Sequence, residues 1–170
     1  MAEMHHKEIE VYLPSGLLKG TIVTRHERVS DHLAMPDEAF LLANTSLAGS
    51  EAQRYEVVAT SALIYKRLVI MVADVGAAAR HRALDAQLMR VERQPHRVLV
   101  GVGPFWVRGE VHLPAGADLE SAGLGKAQFI PLTAATFLGH PDSHPVTFII
   151  NRDQINCVVI DPVETSGSSG

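Results

Sequence analysis

Near the start of the chain apolar and polar positions alternate, with Ile9, Val11 and Leu13 set against Glu8, Glu10 and Tyr12. A period of two places successive side chains on opposite faces and predicts a half-buried strand. Pro14-Ser15-Gly16 reads as a turn. A second strand follows over 18–24, with Gly20 in its middle, where a glycine marks a bend or bulge. The polar stretch 25–38 contains a short helical turn opening at Ser30. Three further strands are predicted near 40–45, 57–64 and 68–73, the last two joined by Tyr65-Lys66-Arg67.

The pattern then returns. At an offset of 89, Lys19-Gly20 matches Arg108-Gly109, and Ile9, Val11 and Leu13 fall on Val98, Val100 and Val102. Phe40-Leu41 falls on Phe129-Ile130 at the same offset, and Leu68 and Asp74 fall on Ile155 and Asp161 at an offset of 87. A fixed period of this size is the mark of a repeated structural unit. The reading is a tandem duplication, residues 7–75 and 96–163. Each repeat holds five short, bent strands, which suggests a small closed barrel. A second helical turn is expected near Asp118. Between the repeats, 77–94 is rich in Ala, Leu, Arg and Gln, all strong helix formers. Leu84, Leu88 and Val91 make one apolar stripe, and Pro95 ends the segment. The expected architecture is therefore mainly β: two tandem five-stranded small barrels, SH3-like or Sm-like, joined by one α-helix at 76–95. A Gly/Ser-rich tail over 164–170 is expected to be disordered.

Composition narrows the functional classes. The 170 residues carry 15 Lys and Arg against 19 Asp and Glu, for a net charge of −4. No global basic field draws the protein to nucleic acid or to an anionic membrane. Only 76–95 is net basic, through Arg80, Arg82, Arg90 and Arg93, and a solvated helix face explains it. The single cysteine, Cys157, excludes an intramolecular disulfide, and the first residues lack the apolar stretch of a secretion signal. A cytoplasmic location is the expectation. Cys157 is in phase with Ile155 and Val159 and is expected to be a small buried hydrophobe.

Candidate chemistry is thin. His140, Asp142 and His144 could ligate a metal, but the two flanking prolines read as a stiff turn, and no cofactor is expected. His32 beside Asp31, with His26 nearby, has the elements of a general base without a nucleophile. On the strand after Gly103, Trp106, Arg108, Glu110 and His112 share one face. A lone Trp among charges suits an interaction surface. Residues 146–150 and 68–73 contain no charge. Natural sheet edges usually carry Lys, Pro or a bulge, so these two runs should be interior or already paired.

Val11-Tyr12-Leu13-Pro14-Ser15-Gly16-Leu17-Leu18-Lys19-Gly20-Thr21-Ile22 resembles the first motif of the Sm-like branch of small β-barrels, and Phe148-Ile149-Ile150-Asn151-Arg152-Asp153-Gln154-Ile155 resembles the second. The likeness covers each repeat. It implies bent five-stranded barrels that associate by edge-strand pairing. It also implies an RNA-binding role for the turns Tyr65, Lys66, Arg67 and Asn151, Arg152, Asp153. The Asp/Asn loop that holds bases in that family is replaced here by a long loop, residues 25–35, without Asn. The favoured expectation is a non-enzymatic assembly or adaptor protein acting through barrel edges, with itself and another protein as partners and no membrane. An RNA-binding protein is the alternative, and a His-dependent metal enzyme the second alternative.

Overall fold

The computed structural model describes residues 3–49, 56–76, 93–140, 144–160 and 162–163. The protein is mainly β. The first half contains β1 (His5–Leu13), β2 (Gly16–Thr24), α1 (Val29–Leu33), β3 (Ala39–Ala48), β4 (Glu56–Tyr65) and β5 (Met71–Asp74). The second contains β6 (Arg93–Val102), β7 (Phe105–Pro114), α2 (Leu119–Ala122), β8 (Phe129–Phe137), β9 (Val146–Asn151) and β10 (Ile155–Ile160). Single 3-10 turns, Lys66–Leu68 and Arg152–Gln154, link β4 to β5 and β9 to β10.

Among the described residues the strands form one open sheet in the order β10-β6-β7-β8-β9-β5-β1-β2-β3-β4, every neighbour antiparallel. Each half thus has its fifth strand beside its first, then second, third and fourth. The alternation read from sequence sets the faces: Ile9 and Val11 are buried, as are Val98, Val100 and Val102.

The two glycines hold matching positions. The β2–β3 register shifts between Lys19 and Thr21, and the β7–β8 register shifts between Arg108 and Glu110. A Cβ on Gly20 would stand 2.7 Å from the Ala43 carbonyl oxygen and 2.8 Å from Leu42 Cγ. On Gly109 it would stand 2.8 Å from the Thr133 carbonyl oxygen and 2.7 Å from Leu132 Cγ. Facing each bulge is a non-glycine residue with positive φ, Asn44 at 50° and Ala134 at 48°. The sharp bend needs the second strand to touch the third, and only glycine permits it.

Four sequence expectations shift. Phe129 does not match Phe40. The strand-start bonds Lys66 N–H to Glu38 O and Arg152 N–H to Gln128 O make Phe40 equivalent to Ile130, one residue later. In the fifth strands Val72 lies opposite Val11 and Val158 opposite Val100, so the offset there is 86, not 87. Of the expected helix, residues 77–92, with Arg80, Arg82, Leu84, Leu88, Arg90 and Val91, lie outside the described residues. Arg93, Gln94 and Pro95 begin β6, opposite Pro114, Leu113 and His112. Pairing with β7 overrides their helix propensity, and Pro95 is tolerated because β10 reaches only to Val98. Cys157 is exposed, not buried. A bulge between Ile155 and Cys157 changes the phase of β10, so Val158 is the residue that turns inward. The tail, 164–170, lies outside the described residues.

Two apolar cores lie on opposite sides of the central strands. One gathers Val98, Val100, Val107 and Leu132 of the second half with Met71 and Ala73 of the first. The other gathers Ile9, Ile22, Leu33 and Leu42 of the first half with Phe129 and Ile149 of the second. Each half therefore contributes side chains to the other's core.

Candidate functional site

The two charge-free runs pair with each other. β5 lies against β9 with Met71 opposite Ile150, Val72 opposite Ile149, Ala73 opposite Phe148 and Asp74 opposite Thr147. All but Asp74 and Thr147 are buried. Successive side chains enter alternate cores, which explains why neither run alternates with polar residues. Tyr12 crosses this junction, meeting Phe105, Phe137 and Phe148 edge-on with ring centroids 5.4–6.2 Å apart. Its hydroxyl donates to Glu10 Oε2 at 3.1 Å. Burial, reinforced by the Glu10 charge, pushes its phenol far above the usual range.

Asn151 ties the junction. Its Nδ2 donates to the Val69 carbonyl oxygen at 2.8 Å, and its Oδ1 accepts from Gln128 Nε2 at 2.7 Å. Asp74 lies at the rim. Burial pushes its carboxyl up to about 6, opposed by a hydrogen bond from the Gly76 backbone.

The outermost strands, β10 and β4, have no partner on their outer sides among the described residues. Both expose apolar side chains: Val57, Val58, Leu63 and Tyr65 on β4, and Val159 and Ile160 on β10. β10 carries no charge, and the only charge on β4 is Glu56 at its far end. The sequence reading missed these two as the open edges, although their lack of charge was visible.

Trp106, Arg108, Glu110 and His112 do share one face of β7, and Val107, Gly109 and Val111 are buried on the other. Trp106 is 42% exposed. His112 Nε2 lies 2.8 Å from Thr133 Oγ1. Arg108 and Glu110 line a shallow cleft of about 380 Å³ together with Arg97 and Val163.

The turns proposed for RNA lie side by side at the junction. The Asn151 amide reaches the Lys66 carbonyl oxygen at 3.4 Å. Lys66 itself is buried, and its Nζ donates to the Met35 carbonyl oxygen at 2.7 Å. Burial holds its ammonium below the usual lysine range. Lys66 and Asn151 are thus engaged within the chain, and Tyr65, Arg67, Arg152 and Asp153 face solvent. Both turns are 3-10 turns linking fourth and fifth strands, not projecting hairpin tips.

His140 and His144 are exposed, and Asp142 lies outside the described residues. No group of three metal-ligating side chains occurs among the described residues. His32 Nδ1 is 2.9 Å from Thr24 Oγ1, and His26 stacks edge-on against it. Burial, then Lys66 and His26, lowers its pKa. This cluster fastens the 25–38 loop, as does Lys7, which donates to the Glu27 carbonyl oxygen. No helix among the described residues is long and apolar enough to cross a membrane.

Comparison with protein-family models, curated proteins and solved structures finds no match to this chain.

Proposed function

We propose that this protein is an assembly module. It comprises two small barrel-like units of the SH3-like or Sm-like kind, arisen by duplication, and it works by adding strands to its outer edges. The observation that carries the reading is the β5–β9 pair. There the fifth strand of one half and the fourth strand of the other bury the charge-free stretches 71–73 and 148–150 against each other. β4 and β10 are a fourth and a fifth strand of the same composition, left open. An exposed, apolar, unprotected edge is a template for another strand. The expected consequence is self-association, and the same edges suit an extended segment of a second protein.

The reading is non-enzymatic. The two imidazole–hydroxyl contacts, His32 with Thr24 and His112 with Thr133, are read as structural: the first fastens the 25–38 loop and the second joins β7 to β8.

Light scattering after size exclusion over a tenfold dilution series tests it. A mass above one 18.4 kDa chain that falls on dilution is expected. A single-chain mass at every concentration overturns it.

A further inference from the structure

The internal junction gives the geometry of the external one. Resting on the assembly reading above, we infer that β10 of one copy pairs with β4 of the next, with Trp106 as the aromatic anchor of the contact. The strand equivalences fix the register. Met71, Val72, Ala73 and Asp74 lie opposite Tyr12, Val11, Glu10 and Ile9, just as Cys157, Val158, Val159 and Ile160 lie opposite Gly101, Val100, Leu99 and Val98. Tyr65, Ile64, Leu63 and Ala62 follow β3 as Asn151, Ile150, Ile149 and Phe148 follow β8. Transferring the β5–β9 register to these strands places Val158 opposite Leu63, Val159 opposite Ala62 and Ile160 opposite Ser61 of the neighbouring copy.

Exposure follows the same map. Ile149 is 2% exposed and its counterpart Leu63 is 58% exposed. Ala73 is 1% exposed and its counterpart Val159 is 37% exposed. The residues left uncovered are those whose equivalents are covered inside the chain.

The aromatic partners exchange places. In the internal junction the large ring on the first-strand side is Tyr12, facing Phe148. Its counterpart is Gly101, and the counterpart of Phe148 is the small Ala62. The direction a Gly101 side chain would take is filled by the Asn156 side-chain oxygen, which lies nearest, and by Trp106, whose ring atoms come within 3.2 Å of that Cβ position. Trp106 and Asn156 together therefore take the place that Tyr12 takes inside the chain, with Trp106 supplying the ring, and Ala62 leaves room for the larger ring. Large against small is the complementarity that packed interfaces need. This contact lacks the Asn151 clasp, because the counterpart of Asn151 is Tyr65. The external junction is accordingly the weaker of the two, and it alone should open on dilution.

Disulfide trapping with the full chain tests polarity and register. Two variants in a Cys157→Ser background, Ala62→Cys and Val159→Cys, are mixed and oxidised, and the products are weighed by mass spectrometry. The mixed dimer is expected to dominate. Like-with-like dimers as the main product would overturn the head-to-tail pairing and leave the assembly reading standing. Single chains throughout, with single-chain mass before oxidation, would overturn both. Trp106→Ala is expected to raise the concentration of half-dissociation by at least about tenfold, with an unchanged denaturation midpoint for the separated chain. An unshifted dissociation curve would remove Trp106 from the contact.

Discussion

The β5–β9 junction and the outer edges use the same kind of strand under opposite circumstances. Inside the chain, Val72 and Ile149 are buried side by side in the same core, that of the first half. At the outside, Val158 is half-buried and Leu63 exposed. Neither pair is intrinsically more apolar. The difference is whether a partner strand is covalently supplied. Burial here is a property of topology, not of the residue, and an apolar edge can be read as half of a contact whose other half the same chain displays.

That comparison can be broken at matched positions. The largest effect should come from Ile149→Ala, which leaves a cavity between the halves and should cost about 2–5 kcal/mol in chemical denaturation. The matched Leu63→Ala should change the stability of the separated chain by less than about 0.5 kcal/mol. Equal costs at the two positions would mean that β4 is already covered.

Gly20→Ala and Gly109→Ala come next, because each Cβ meets a backbone carbonyl oxygen that cannot rotate away. Each should lose about 1–3 kcal/mol by forcing the bulge open. Matching losses would support equivalent bends, and a neutral result at either would show that its bulge can relax.

Asn151→Ala should cost about 1–3 kcal/mol, since it removes the bond to the Val69 carbonyl oxygen, while the Gln128 amide keeps its bond to Asp153. Tyr65→Ala, at the matched outer position, should leave the denaturation midpoint of the separated chain within experimental error.

The smallest effect is a pH dependence at the junction rim. Asp74 titrates near 6 in the folded chain against an ordinary value of 3.8. Between those values the folded state binds the extra proton, so the stability this group contributes is full below pH 3.8 and is lost as pH rises to 6. Asp74→Asn should therefore raise the denaturation midpoint at pH 7.5 and leave it nearly unchanged at pH 3.5. A gain equal at both pH values would remove the buried carboxylate as the cause.

Strand order was largely legible. Alternation located nine of the ten strands within a few residues and placed α1 and α2 near Ser30 and Asp118. Gly20 and Gly109 were legible because a bulge touching the next strand demands glycine. What failed was phase. Periodicity cannot see the bulge at Ile155, so Cys157 was read as inward. The β6 start was misread because Arg and Gln favour helices locally, and only β7, fifteen or more residues on, makes them a strand. The open edges were readable as charge-free, but deciding which charge-free strands meet each other requires the third dimension. Alternation also placed Trp106 on one face with Arg108, Glu110 and His112, as β7 has it. The relation of Trp106 to Tyr12 had no sequence signal, because it depends on Gly101, which lies on β6 one strand in from the β10 edge.

The placement of β5 also sets a problem in time. During synthesis Met71, Val72 and Ala73 leave the ribosome with β1 available on one side, but β9 is completed only at residue 151. At about 5–20 residues per second, the strand that will cover them is roughly 4–15 s behind. For that interval the first half presents the apolar stretch 71–73 and the Tyr12 face, both meant for partners not yet made. A chain ended after residue 76 would hold that state permanently, and it should aggregate at concentrations where the full chain stays clear. Nascent-chain handling, more than the finished fold, is where a defect in β9 would first be felt.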